Sequence, residues 1–253
     1  MLQLSIKILK PILLTVLLIH SHISMKAQIF VSKGKIEFER KVNYHKILDE
    51  DANDWTENLK KNSAPFRIHY FDLYFNSNKS IYKPGREMEE ASKEFFSDAT
   101  ASSNIVYKNL ETESGVSQKQ IFESLYLVQD SLKKFDWKLT NDVRKIAGFN
   151  CRKATTIICD SIFVFAFYTD EILTETGPEN FHGLPGMILG IAIPRMHTTW
   201  FATKLELVEV GEKDFQIPVK GKKVNTKDLD LSMKKSLKDW GKWGHRNIWQ
   251  ASL

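Results

Sequence analysis

The stretch from Phe163 to Ile193, FVFAFYTDEILTETGPENFHGLPGMILGIAI, constrains this chain more than any other. It opens as a strand that is apolar on both faces. Phe163, Phe165 and Phe167 point one way, and Val164, Ala166 and Tyr168 the other. Such a strand is predicted to be covered on both sides. The stretch then breaks into a corner holding Gly177, Pro178, Gly183, Pro185 and Gly186, and re-enters an apolar run at Met187. Four of the twelve glycines and two of the seven prolines fall between 177 and 190, which implies a backbone path fixed by special φ values rather than a slack linker.

Strand signals surround this stretch. Lys35 to Tyr44 alternates apolar and charged residues and reads as a half-buried strand. Leu48 to Ser63 is polar and reads as a loop or one short helix around Trp55. Phe66 to Phe75 is aromatic, with a bulge expected near Asp72, and Asn76 to Asn78 turns the chain into a returning strand, Lys79 to Lys83. A short surface helix is predicted over Glu87 to Ser97, with Met88, Ala91 and Phe95 at helical spacing. Further strands are predicted over 104–110, 118–124, 125–129, 137–140 and 143–146. Cys151 to Ile158 and Ile162 to Tyr168 should form a hairpin, and the last long strand is predicted over Thr198 to Val210. Asn225 to Trp240 carries a helical stripe of Leu229, Met233, Leu237 and Trp240, with Asn225 as N-cap and Gly241 and Gly244 as stops. About ten short strands in hairpin order predict a mainly β fold: a curved, mostly antiparallel, half-barrel-like sheet with a C-terminal amphipathic helix.

At the N-terminus, Lys7 and Lys10 precede an apolar run from Pro11 to Ile19, the pattern of a cleaved signal peptide over residues 1–27. That run is too short to span a membrane. The remaining 28–253 is expected to be one domain, with a Trp-rich tail from about 241, and to be exported to the periplasm or beyond. Lys7, Lys10 and Lys26 leave with the first 27 residues, and 33 basic residues then face 31 acidic ones, a balance that does not suggest nucleic acid. If Cys151 and Cys159 share a strand, their Cα atoms lie roughly 26 Å apart. That is too far for a bridge, so two free thiols are expected.

GLPGMILGI, preceded by AFYTDEI and GPENF, is similar to the signature of the GLPGLI family, secreted proteins of Bacteroidetes-type bacteria. IAGFNCRKAT (146–155) and IPVKGKKVNTKDL (217–229) resemble its flanking blocks. Met187 stands where the family usually has Leu, a volume-conserving change. The resemblance implies a secreted protein of unestablished activity and supplies no catalytic residues.

The candidate ligand site is the corner and its surroundings: Tyr168, Glu171, Gly177, Pro178, Phe181, His182, Gly183, Leu184, Pro185 and Gly186. The competing explanation is structural. Gly183 and Gly186 would supply positive φ while Phe181 and Leu184 plug the core. The corner lacks the GxxxxGK[ST] spacing of a phosphate loop, no HExxH or CxxC spacing points to a metal, and no GxSxG marks a nucleophile. No cofactor is implied. The sequence therefore favours an exported, non-enzymatic protein that binds an apolar or peptide-like ligand, or an envelope partner. A hydrolase working through loop carboxylates with His182 is the alternative, and a purely structural or assembly role is a third. The tail from Trp240 to Trp249 either touches a membrane or partner surface, or folds back on the sheet.

Overall fold

The computed structural model describes residues 30–87 and 100–253. The signal peptide expected over 1–27, and all but the first residue of the helix expected over Glu87 to Ser97, lie outside these. Residues Val31–Leu253 form one compact unit. Alternation in the sequence becomes one curved twelve-stranded sheet. Its strands are β1 Gly34–Asn43, β2 Phe66–Phe75, β3 Lys79–Pro84, β4 Ile105–Asn109, β5 Ser114–Ile121 and β6 Ser124–Ser131. They continue with β7 Lys138–Ile146, β8 Phe149–Ile158, β9 Ile162–Thr169, β10 Met187–Ile193, β11 Thr198–Glu206 and β12 Lys222–Val224. The order across the sheet is β12-β6-β5-β4-β3-β2-β1-β11-β10-β9-β8-β7, antiparallel except where β12 joins β6.

The core lies on the inner face. Ile36, Phe38, Phe71, Leu73, Phe75, Val164, Ala166 and Trp200 are buried there, and the segment from Ile172 to Leu184 lies against them. Burying side chains of this size is worth about 1.5–3 kcal/mol each. The opposite row of β9 is not fully covered, contrary to expectation. Phe163 is 55% exposed, while Phe165 and Phe167 are half-buried. Cations take the place of a second layer. Lys153 Nζ stands 5.2 Å from the Phe165 ring, and the Arg144 guanidinium stands 4.5 Å from Phe201 and 5.6 Å from Phe167.

Several local expectations are corrected. The 44–63 region forms two helices, α1 Tyr44–Asp49 and α2 Asp54–Lys61, because Asn43 and Asn53 each cap one, the second in a reciprocal box with Thr56. No bulge interrupts β2 at Asp72. Register shifts fall instead where β1 meets β11, with Thr203 left unpaired opposite Glu37 and Phe38, and in β10 and β7. Gly241 does not end the C-terminal helical region. After α3 Thr226–Ser236 it opens a second helix, α4 Gly241–Ala251, and Gly244 lies where a Cβ would meet the Leu237 carbonyl at 2.5 Å. The tail folds back on the sheet: Leu253 and Trp249 join the main core, and Trp240, 52% exposed, has its ring centroid 5.4 Å from that of Phe122.

Candidate functional site

The Gly-Pro corner is packed. Phe181 and Leu184 are each 1% exposed, and Tyr168, Gly177, Pro178 and Gly186 are buried. Glu171 and His182 are half-buried, and Gly183 and Pro185 are exposed. Gly186 holds φ +124°, and a Cβ there would stand 2.1 Å from the Thr169 carbonyl oxygen, so only glycine fits. A hydrogen bond from the Trp137 indole to the His182 carbonyl (2.9 Å) and an antiparallel bridge between Thr176 and His182 close the corner. His182 Nε2 donates to the Lys133 carbonyl at 2.9 Å. Burial, followed by the Lys108 charge, pushes its imidazole down to about 4, so it is neutral at pH 7. The space beside Phe181 measures about 10 Å³, too little for a ligand.

Beneath the corner lies a buried polar cluster. Lys108 Nζ on β4 donates to the carbonyls of Gly177 (2.7 Å), Glu179 (2.7 Å) and Phe181 (3.1 Å). Those three alternate carbonyls take all three protons of an ammonium. Burial pushes Lys108 down to about 7 and its neighbour Lys119, which donates to the Ala251 carbonyl, down to about 8. The Glu179 carboxylate is fully buried and accepts from Asn104 at 2.9 Å. Burial raises its pKa despite that hydrogen bond and the charges of Lys119, Arg40 and Lys108. The cluster pins the corner to the inner face, and at its edge Lys119 lines a small cleft of about 50 Å³ with Asn180, Leu229 and Met233.

An open groove lies elsewhere. Glu50, Ser161, Phe163, Pro194, Arg195 and His197 line a groove of about 370 Å³, within the range that holds a small ligand. Three segments far apart in sequence build it. Glu50 is the C-cap of α1, Ser161 and Phe163 belong to the β8–β9 turn and the start of β9, and Pro194–Met196 form a 3-10 turn that His197 closes at φ +50°. Glu50 Oε1 meets His197 Nε2 at 2.9 Å, and its Oε2 accepts from Arg246 at 2.7 Å. Partial burial opposes the charge on Glu50, but the Arg246 and His197 contacts outweigh it and hold the carboxyl below its usual range. Arg246 also donates to the Met196 carbonyl at 3.1 Å, which ties α4 to the rim. Sequence reasoning missed this groove, because it expected both faces of β9, Phe163 included, to be covered.

Residues 87–234, more than half of the chain, match the profile of the family described as N-glycanase peptide, N-terminal domain. The chain belongs to this family. Among curated proteins none matches it at a significant level. Two solved structures of PNGF-II, in the P21 and C2 space groups, resemble this member of the N-glycanase N-terminal family at 14% identity, with TM-scores of 0.51 and 0.50. They cover 83% and 87% of this chain, which in turn covers 34% and 33% of theirs. The chain therefore spans about a third of the length of those structures, and at that identity the likeness is one of fold.

Proposed function

We propose that this chain is an exported, non-enzymatic envelope protein that binds a glycan-bearing peptide or protein through the groove at Glu50, Phe163, Arg195 and His197. The groove carries this reading: an open aromatic ring stands beside a hydroxyl and charged side chains, matching a sugar that offers apolar C–H faces and hydroxyls together. Membership in a family named for N-glycanases supports a glycan-related ligand. The sealed corner favours binding over hydrolysis. Glu179, the loop carboxylate pushed upward in pKa, is fully buried beside Lys108 and Asn104. Lys7 and Lys10 ahead of the apolar run from Pro11 to Ile19, a signal-like pattern, support export. We also propose kinship with the GLPGLI proteins, supported by structural roles for two glycines of that block. Gly186 has no room for a side chain, and at Gly190 a Cβ would meet the Phe201 ring at 2.7 Å.

The test is calorimetric titration of the full chain with an N-glycosylated peptide and with the same peptide after glycan removal. The glycosylated peptide should bind, the bare one should not, and Phe163→Ala should abolish binding while mass spectrometry recovers the glycopeptide intact. Equal binding of both peptides, or release of the glycan, would overturn the proposal.

A further inference from the structure

Both oxygens of Glu50 are engaged within the fold, one by His197 and one by Arg246. The acidic residue lining the groove is thus already neutralised. Arg195 lines the same groove, is exposed, and has no carboxylate partner among the described residues. Its guanidinium stands 5.9 Å from the Trp249 ring. The charge left for a ligand is therefore positive, and it borders the open face of Phe163.

Resting on the reading that this groove takes a saccharide, we infer that the sugar it prefers is carboxylated, a uronate- or sialate-type unit. Its carboxylate pairs with the planar fork of Arg195, a geometry that guanidinium matches with two parallel hydrogen bonds. Its C–H face packs on Phe163, and the Ser161 hydroxyl is within the lining to meet a ring hydroxyl. Along the same sheet face Lys153, shared with Asp142 at 2.8 Å, covers Phe165, and Arg144 covers Phe167 and Phe201. An acidic chain leaving the groove past Phe163 meets the Arg144 guanidinium there.

The experiment titrates the full chain with 3′-sialyllactose and with its carboxyl methyl ester, at 50 and 200 mM salt. Sialyllactose should bind about tenfold more tightly, as expected for one added charge-assisted pair. That preference should shrink at the higher salt. Arg195→Gln should bring the ratio of the two affinities close to one, Phe163→Ala should weaken both sugars, and Lys223→Gln, a cation on the far edge strand, should leave the ratio intact. Equal affinity for the two sugars, or an Arg195→Gln variant that keeps the preference, overturns the carboxylate assignment and leaves the saccharide reading standing. Competition by poly-glutamate as effective as by sialyllactose would mark a general anion site and also overturn it. If neither sugar nor the glycosylated peptide binds, the saccharide reading itself falls, and this inference with it.

Discussion

Replacing Lys108 with methionine tests whether its buried amino group holds the Gly-Pro corner in place. The side chain keeps its length, but the carbonyls of Gly177, Glu179 and Phe181 lose their donor. Each buried carbonyl left without a partner costs about 1–3 kcal/mol. Part of that is offset because a buried charge no longer needs to be desolvated, and a net loss of about 3 kcal/mol is expected, as for one partner removed from a buried pair. For a unit of this size the melting temperature should fall by roughly 6–12 °C. The pH dependence supplies a second signature. Burial moves Lys108 from 10.5 down to about 7, so between those values the unfolded chain binds more protons than the folded one. Its contribution to stability therefore rises with pH across that window and is lost as pH falls through it. The variant lacks that rise, so its deficit should be larger at pH 9 than at pH 6. Denaturant melts at both pH values read the stability, and amide exchange over 177–181 reads the corner. A variant as stable as the parent at both pH values, with unchanged exchange at the corner, would refute the anchoring role of Lys108.

Gly186→Ala should destabilise by more than about 2 kcal/mol in thermal unfolding, because its φ of +124° and the Thr169 carbonyl 2.1 Å from a Cβ leave no accommodation; a melt within 1 °C of the parent would contradict the corner geometry. Glu50→Gln should cost about 1 kcal/mol at pH 7, a value discounted for partial exposure. Because Glu50 is held below its ordinary pKa, that contribution is present above the unfolded value and lost as pH falls through the folded one. The gap between variant and parent should therefore close in acid; a gap that widens there would be the wrong sign. Native protein should offer one thiol to an aromatic disulfide reagent, Cys159, while Cys151, pushed up to about 12 by burial, reacts only on unfolding. Detection of an intramolecular bridge would contradict the strand that separates them.

The strands were legible because alternation survives in them. The β8–β9 hairpin, with Cys159 and Asp160 both at positive φ, follows the expected limits within two residues. β12 was hidden: Lys222–Val224 is three residues long, and its parallel pairing with β6 leaves no hairpin signal. The two helices after β1 were blurred because their polar residues resemble a loop, although the caps Asn43 and Asn53 stand in plain view. At the corner, the plugging of Phe181 and Leu184 could be anticipated, but its anchor could not be read from the corner itself, since Lys108 comes from a strand 69 residues earlier. Parity gives a hint. Lys108 falls on the same side of β4 as Val106, and Lys119 on the same side of β5 as Ser117 and Ile121, so both lysines point inward. The groove was beyond reach, because Glu50 and His197 meet across 147 residues through sheet topology that no local pattern encodes.

Hydrogen–deuterium exchange on the chain saturated with an N-glycosylated peptide separates the two candidate sites in one measurement. Protection should appear at 161–163 and 194–197 and be absent from 177–186. Protection confined to 177–186, with the groove segments exchanging as in the free protein, would return the site to the Gly-Pro corner and contradict binding at the groove.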